Sequence, residues 1–312
     1  MAKFWNNWVL VFTLVALACG GCGQSNAKNV KQMTIAELKP EADAGNPVAQ
    51  FERGLRFFDG KGVLKDQQIA VEWFQKAAEQ GAPGAQDTLG VCYSFGHGVK
   101  TNQQEAVNWW RKAAEQDWPD AEHSLGIAYL KGFGVPEDKK ESFKWMLKAA
   151  GHGNANAELA AGLFYETGEV VEQNYIKAVE WYRKAAEQEE ANAQTSLGLF
   201  YEKGVGVPKN DAEAAKWYRL AAENGEDRGQ FRLGYLYAKG DGVTQSYEEA
   251  FKWFQKAAEQ ENSNAQFCLG VCYRDGDGTK TNLDEARLWF QSAATNGFPK
   301  AQEALDALQN KK

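Results

Sequence analysis

Histidine and cysteine are scarce in this 312-residue chain, with three of the first and five of the second. His97, His123 and His152 fall in a turn, a helix and a connection, with no spacing that would gather a metal, so no metal site is expected. Basic residues are outnumbered, 35 Lys and Arg against 42 Asp and Glu, and the net charge of -7 is spread along the chain. Nucleic acid would require a basic stripe, so no nucleic-acid partner is expected. Glycine-rich turns such as Gly60-Lys61-Gly62 lack the adjacent lysine and hydroxyl that close a phosphate loop. No nucleophile, base and orienter recur as a set, and acid pairs such as Glu166 and Glu169 are ordinary at solvated helix ends. The chain reads as a non-enzyme with no catalytic residue and no cofactor.

What is present is a period. Trp73, Trp109, Trp145, Trp181, Trp217, Trp253 and Trp289 recur every 36 residues, as do Gly54, Gly90, Gly126, Gly162, Gly198, Gly234 and Gly270. A fixed period of this size marks a repeat architecture, and it overrules the two domains that length alone suggests. Within one unit, Ala85, Leu89 and Tyr93 form a helical stripe, and so do Ala106, Trp109, Ala113 and Ala114. Each unit is therefore a pair of short amphipathic helices. Paired glycines, such as Gly96 and Gly98, mark the turn between them, and only the fourth unit departs, with Gly168 followed by Glu169 and Val170. Asn210, Asp211 and Asn282 fit the start of second helices as caps. A glycine inside the first helix costs about 1 kcal/mol against alanine, so its sevenfold return implies a neighbouring helix that crosses too closely for a side chain. The tryptophans read as core filler between helices.

These columns, A-x-x-x-L-G-x-x-Y, then G-x-G-V, then A-x-x-W-x-x-K-A-A, resemble the Sel-one-like repeat, a relative of the tetratricopeptide repeat with about 36 rather than about 34 residues per unit. Ala161, Phe57, Ser142, Leu220 and Ser292 are departures from the pattern. The resemblance implies an all-α, right-handed solenoid of seven repeats over residues 46–297. It also implies a scaffold for protein or peptide partners; an envelope-glycan (peptidoglycan) binder or modifier is the alternative by family analogy. Some members carry a paired cysteine in each repeat and are linked to cell-wall material, and that pattern is missing from this chain.

Residues 1–18 have the form of a secretory signal peptide, with Lys3 followed by an apolar stretch from Trp8 to Ala18 that is too short to span a bilayer comfortably. Ala16-Leu17-Ala18-Cys19 looks like a bacterial lipobox, which makes Cys19 the expected lipid attachment site, with Cys22 as the alternative. A membrane-anchored lipoprotein of the bacterial envelope is the expectation, facing the periplasm or the surface; ordinary cleavage after Ala18 would instead give a soluble periplasmic or secreted protein. Residues 19–33 read as a polar tether, 34–45 as a capping half-repeat and 298–312 as a C-terminal cap. Cys92 and Cys272 occupy one column five units apart, too far for a disulfide, and with Cys268 they read as small buried thiols.

Partner recognition is expected on the concave side, in first-helix columns whose contents vary on an invariant frame. There Phe231, Tyr235 and Phe267 form an expected aromatic cluster, with Lys203, Lys239 and Arg274 as basic neighbours. Aromatic anchors among cations suit a helix or an extended peptide carrying acidic groups.

Overall fold

A computed structural model describes residues 30–309; the leading segment, with Cys19 and Cys22, lies outside them. The described chain is all helical. A short turn of 3-10 helix at Val30–Gln32 leads into α1 (Ile35–Asp43). Seven pairs follow: α2 (Pro47–Asp59) with α3 (Gln67–Glu79), α4 (Pro83–Phe95) with α5 (Gln103–Ala114), and α6 (Pro119–Lys131) with α7 (Lys139–Gly151). The next are α8 (Ala155–Thr167) with α9 (Tyr175–Glu187), and α10 (Ala191–Lys203) with α11 (Asp211–Glu223). The last are α12 (Asp227–Lys239) with α13 (Tyr247–Glu259) and α14 (Ser263–Asp275) with α15 (Leu283–Thr295), before α16 (Ala301–Gln309) closes the array. Every helix packs on the one before it and the one after it, as in a solenoid.

Local chemistry sets the helix ends. Asp66, Asn102, Asp138, Asn174, Asn210, Ser246 and Asn282 each precede a second helix and accept a hydrogen bond from its first-turn backbone. Such caps contribute about 1 kcal/mol each. Asp211 is the first helical residue rather than a cap. The second glycine of the turn has a packing reason as well as a conformational one at Gly98, Gly134, Gly206, Gly242 and Gly278, whereas Gly62, with no full repeat before it, has open space around it. Gly98 sits at φ +72°, and a Cβ there would lie 2.1 Å from the Gln67 carbonyl oxygen of the preceding repeat. Repeat four places Val170 at this position, packed beside the Met146 and Phe164 cluster, and an ion pair between Lys139 and Glu169 joins it to repeat three.

The helical glycines face a column that the sequence pattern did not single out. A Cβ on Gly54, Gly90, Gly126, Gly162, Gly198, Gly234 or Gly270 would come within 2.5 to 2.9 Å of Phe74, Trp110, Met146, Tyr182, Tyr218, Phe254 or Phe290 respectively. These seven are buried, and each directly follows a periodic tryptophan. The close approach expected from the sequence is thus made by a large side chain of the second helix, laid flat across the first. The tryptophans themselves require a correction: Trp109 and Trp217 are buried, but Trp73, Trp145, Trp181, Trp253 and Trp289 are half-buried. Each acts as a staple to the preceding unit. Trp109, for example, packs on Ala77 of α3 and Leu89 of α4, while Lys112 covers its outer face with Nζ 3.7 Å from the ring centroid. Arg53 is one more departure, standing in the leucine column of α2 with its guanidinium 4.6 Å from the Trp73 ring. Cys92 and Cys272 are buried, Cys268 is half-buried, and all three are free thiols.

A polar ladder runs through this apolar stack. Gln50, Gln86, Gln194, Gln230 and Gln266 are all buried. Each donates through Nε2 to an alanine carbonyl eight residues back, at the end of the preceding second helix: Ala42, Ala78, Ala186, Ala222 and Ala258. Each also accepts, through Oε1, from an amide thirty residues on: Gln80, Gln116, Asn224, Gln260 and Asn296. One side chain thereby ties three helices together.

Candidate functional site

First helices α10 and α12 of neighbouring repeats touch, which puts the first-helix row on the more tightly curved side of the stack. A groove of about 490 Å³ opens there. Its apolar wall is Phe231, Tyr235 and Leu236 of α12, and its polar rim includes Lys239, Glu202 of α10 and Asn264 of α14. The rings are fixed from behind, with the Phe231 centroid 6.0 Å from that of Phe254 and 6.3 Å from that of Tyr235. Glu202 is held by the Tyr218 hydroxyl, which donates to it at 2.6 Å, and by Arg232 at 3.5 Å. Lys209 pairs with Asp211 at 3.3 Å. The Lys239 ammonium lies 4.5 Å from the Tyr235 ring centroid, and its hydrogen bond to Tyr235 raises its pKa.

The six residues singled out in the sequence do not form one patch. Phe231, Tyr235 and Lys239 share the groove. Phe267 instead stacks on Phe298 at 4.5 Å and packs against Phe290 at 5.4 Å, because the last repeat has only α16 beyond it. Arg274 turns back on its own helix, with Nε and an Nη donating to Asp275 at 2.8 and 2.6 Å. Lys203 is exposed at the end of α10. In the column of Tyr235, Val91, Ile127 and Leu199 of other repeats are half-buried and pack against the core clusters of their own and adjacent units.

The inner columns of repeats two and three differ in chemistry. Burial, aided by the charge of Asp120, pushes the Asp87 carboxyl up to about 8, and burial pulls the His123 imidazole down to about 4. Both groups are therefore mainly neutral near pH 7. Burial also raises the three thiols to about 12, so none is a thiolate nucleophile.

A second constellation went unread because its members are thirty residues apart. In repeat three the ladder position holds Glu122, fully buried, and the residue thirty positions on is His152, whose Nδ1 lies 2.8 Å from Glu122 Oε2. Lys148 Nζ sits 2.9 Å from Glu122 Oε1 and 2.8 Å from Asp117 Oδ1, and donates to the Ala114 carbonyl at 3.1 Å. Asp117, Glu122 and His152 bring ligand-type atoms within 4.8 Å of one another, so His152 has acidic neighbours that the sequence spacing did not suggest. The cation among those carboxylates is the lysine ammonium, and the group reads as an ion-paired rung of the ladder.

Fold and groove together define a helical-repeat scaffold. The family model of the Sel1 repeat matches residues 47–81, 83–118, 119–154, 155–190, 191–226, 227–262 and 263–298, and the chain belongs to that family. Its structure is similar to that of a protective antigen present in uropathogenic Escherichia coli strains, with 39% identity and a TM-score of 0.82, covering 89% of this chain and 60% of the antigen. The chain thus spans less than two thirds of that relative. A Sel1 repeat protein from Oxalobacter formigenes is also similar, at 32% identity and a TM-score of 0.69, covering 88% of this chain and 79% of that one. No curated protein matches the chain. Sel1 repeat proteins are generally non-catalytic scaffolds for protein interaction.

Proposed function

We propose that this protein is a non-enzymatic adaptor of the bacterial envelope, held at the membrane by a lipid on Cys19 and engaging a protein or peptide through its first-helix row. One observation carries the choice of face: the groove in which Phe231 and Tyr235 are half-exposed on a rigid backing, with Lys239 beside them. Aromatic side chains of this kind offer large contact area at low entropic cost, which suits them as anchors. The rim carries both signs of charge, so it discriminates by register more than by bulk attraction.

A photo-crosslinking residue placed at Tyr235 in cells would trap the occupant, and the trapped protein would then be titrated in purified form. Phe231→Ala with Tyr235→Ala is expected to weaken that binding at least about tenfold, in line with anchor residues, with the helical signal unchanged. Undiminished binding would exclude this groove. Recovery of glycan in place of protein would shift the function to envelope binding.

A further inference from the structure

The turns within repeats and the connections between repeats run along opposite edges of the stack, and the two edges differ. Leu64 is 91% exposed, Phe95 47% and Phe133 48%, and all three stand in or beside the turns of the first three repeats. Lys61, Lys65 and Lys100 lie in the first two of those turns, and all are exposed. Of the carboxylates on this edge, Asp66 and Asp138 are engaged as caps of α3 and α7, Asp66 accepting from the Gln68 and Ile69 backbone at 3.0 Å, while Asp59 and Glu137 are exposed at the margins of the lysine-bearing turns. Between the turns lies a recess of about 700 Å³ with Lys65 and Lys100 on its walls. On the opposite edge, the connections between repeats expose Glu115, Asp117, Glu189 and Glu261.

We propose that the turn edge of the first three repeats docks on a bilayer surface bearing anionic headgroups. Lys61, Lys65 and Lys100 meet the headgroup phosphates, and Leu64, Phe95 and Phe133 enter the interface beyond them. An exposed row of large apolar tips interleaved with lysines is the composition of an interfacial contact. The carboxylates on the far edge are repelled by the same surface and so help fix the orientation. This contact is separate from the groove at α12 and does not depend on what that groove holds.

The test uses the full chain with Cys19→Ser and Cys22→Ser, so that no lipid is attached. Partitioning onto phosphatidylglycerol-containing vesicles and onto phosphatidylcholine vesicles is measured, with hydrogen exchange followed at residues 60–66, 96–102 and 132–138. The leading segment is common to all variants and cancels in the comparison. Slowed exchange at these turns on the anionic vesicles alone is expected. Each lysine near such a surface contributes about fivefold to affinity, so Lys61→Glu, Lys65→Glu and Lys100→Glu together should lower partitioning by more than about tenfold and make it insensitive to salt. Leu64→Ser with Phe133→Ser, both at exposed positions, should weaken partitioning while leaving its salt dependence in place. Unchanged exchange at the turns, equal partitioning of the lysine variant, or equal protection on neutral vesicles would each overturn the proposal. Protection by soluble polyglutamate without any vesicle effect would also overturn it, in favour of an acidic protein.

Discussion

Repeats six and three fill the same buried position in two ways. In repeat six Gln230 donates to Ala222 at 3.2 Å and accepts from Gln260 at 2.9 Å, so one neutral side chain supplies both donor and acceptor. In repeat three Glu122 has no donor to offer when ionised. Lys148 takes over the Ala114 carbonyl, and His152 stands where the partner amide would be. The amide rung is self-sufficient, whereas the acid rung depends on its neighbours. That difference follows from a general asymmetry, in which a buried charge is costly to strip of its partner although the intact pair adds little.

Removing the partner should therefore give the largest effect. Lys148→Ala leaves Glu122 fully buried with its ammonium gone. Breaking a buried pair costs about 3 to 5 kcal/mol; because Lys148 is itself 39% exposed, screening reduces the expectation to about 2 to 3 kcal/mol. Urea unfolding would measure it, and a change below about 0.5 kcal/mol would mean that the rung is not ion-paired in solution.

In the amide rung the corresponding break is Gln230→Ala. It abandons the Ala222 carbonyl and the Gln260 amide, for an expected loss of about 2 kcal/mol. The same measurement on Lys256→Ala, which removes the counterpart of Lys148 in repeat six, should give a smaller change. Lys256 covers Trp253 at 4.1 Å, so only that cation–π contact is lost, at about 0.5 to 1 kcal/mol. Equal costs for Lys148→Ala and Lys256→Ala would erase the distinction between the two rungs.

Much of this frame is legible from the 36-residue period alone, including the helix pairs, the caps at Asn210 and Asn282 and a close approach at the helical glycines. The column that makes that approach was not legible, because its occupants are as unlike as Met146, Trp110 and Tyr182. Identity of residue drew attention to the neighbouring tryptophans, yet flatness against a glycine needs only bulk, and Trp181 proves half-buried where Tyr182 is 1% exposed. The ladder was hidden for a related reason. Its partners stand thirty apart, out of step with the repeat, so Glu122 and His152 look unconnected until α6 and α7 are laid side by side. Of the groove, Phe231, Tyr235 and Lys239 were readable as variable residues on a fixed frame. Phe267 and Arg274 were not separable from them, because the sequence does not show that Phe298 and Asp275 engage them first.

Repeat four sharpens the comparison further, since Glu158 has the acid while Lys184, the counterpart of Lys148, covers the Trp181 ring at 4.0 Å. Glu158 is 4% exposed and accepts from Gln188 at 2.8 Å, and burial raises its pKa above the ordinary 4.5. A raised carboxyl pKa means that the folded state holds the proton more tightly than the unfolded chain. The stability it contributes is fully present below about 4.5 and is lost as pH rises through the raised value. Glu158→Gln should therefore stabilise the protein by about 1 kcal/mol at pH 7, through a new donor for the Ala150 carbonyl, and the gain should shrink as pH falls toward 4.5. A gain independent of pH would show that Glu158 is ionised at no greater cost than in the unfolded chain.

The smallest effect tests whether the two rungs are interchangeable. Glu122→Gln with His152→Gln rewrites repeat three in the form of repeats one and two, where Gln80 and Gln116 occupy the position of His152. The Gln80 backbone, φ −85°, matches that of His152, φ −91°, so the substitution imposes no strain. The new Nε2 can serve the Ala114 carbonyl that Lys148 now serves. Stability at pH 7 should change by less than about 0.5 kcal/mol, as expected when both partners are replaced together. In that background Lys148→Ala should cost under about 1 kcal/mol, so the cycle yields a coupling energy of about 1 to 2 kcal/mol between the lysine and the acid rung. If Lys148→Ala costs the same in both backgrounds, the lysine supports the helix by covering Trp145, and the dependence of Glu122 on it is refuted.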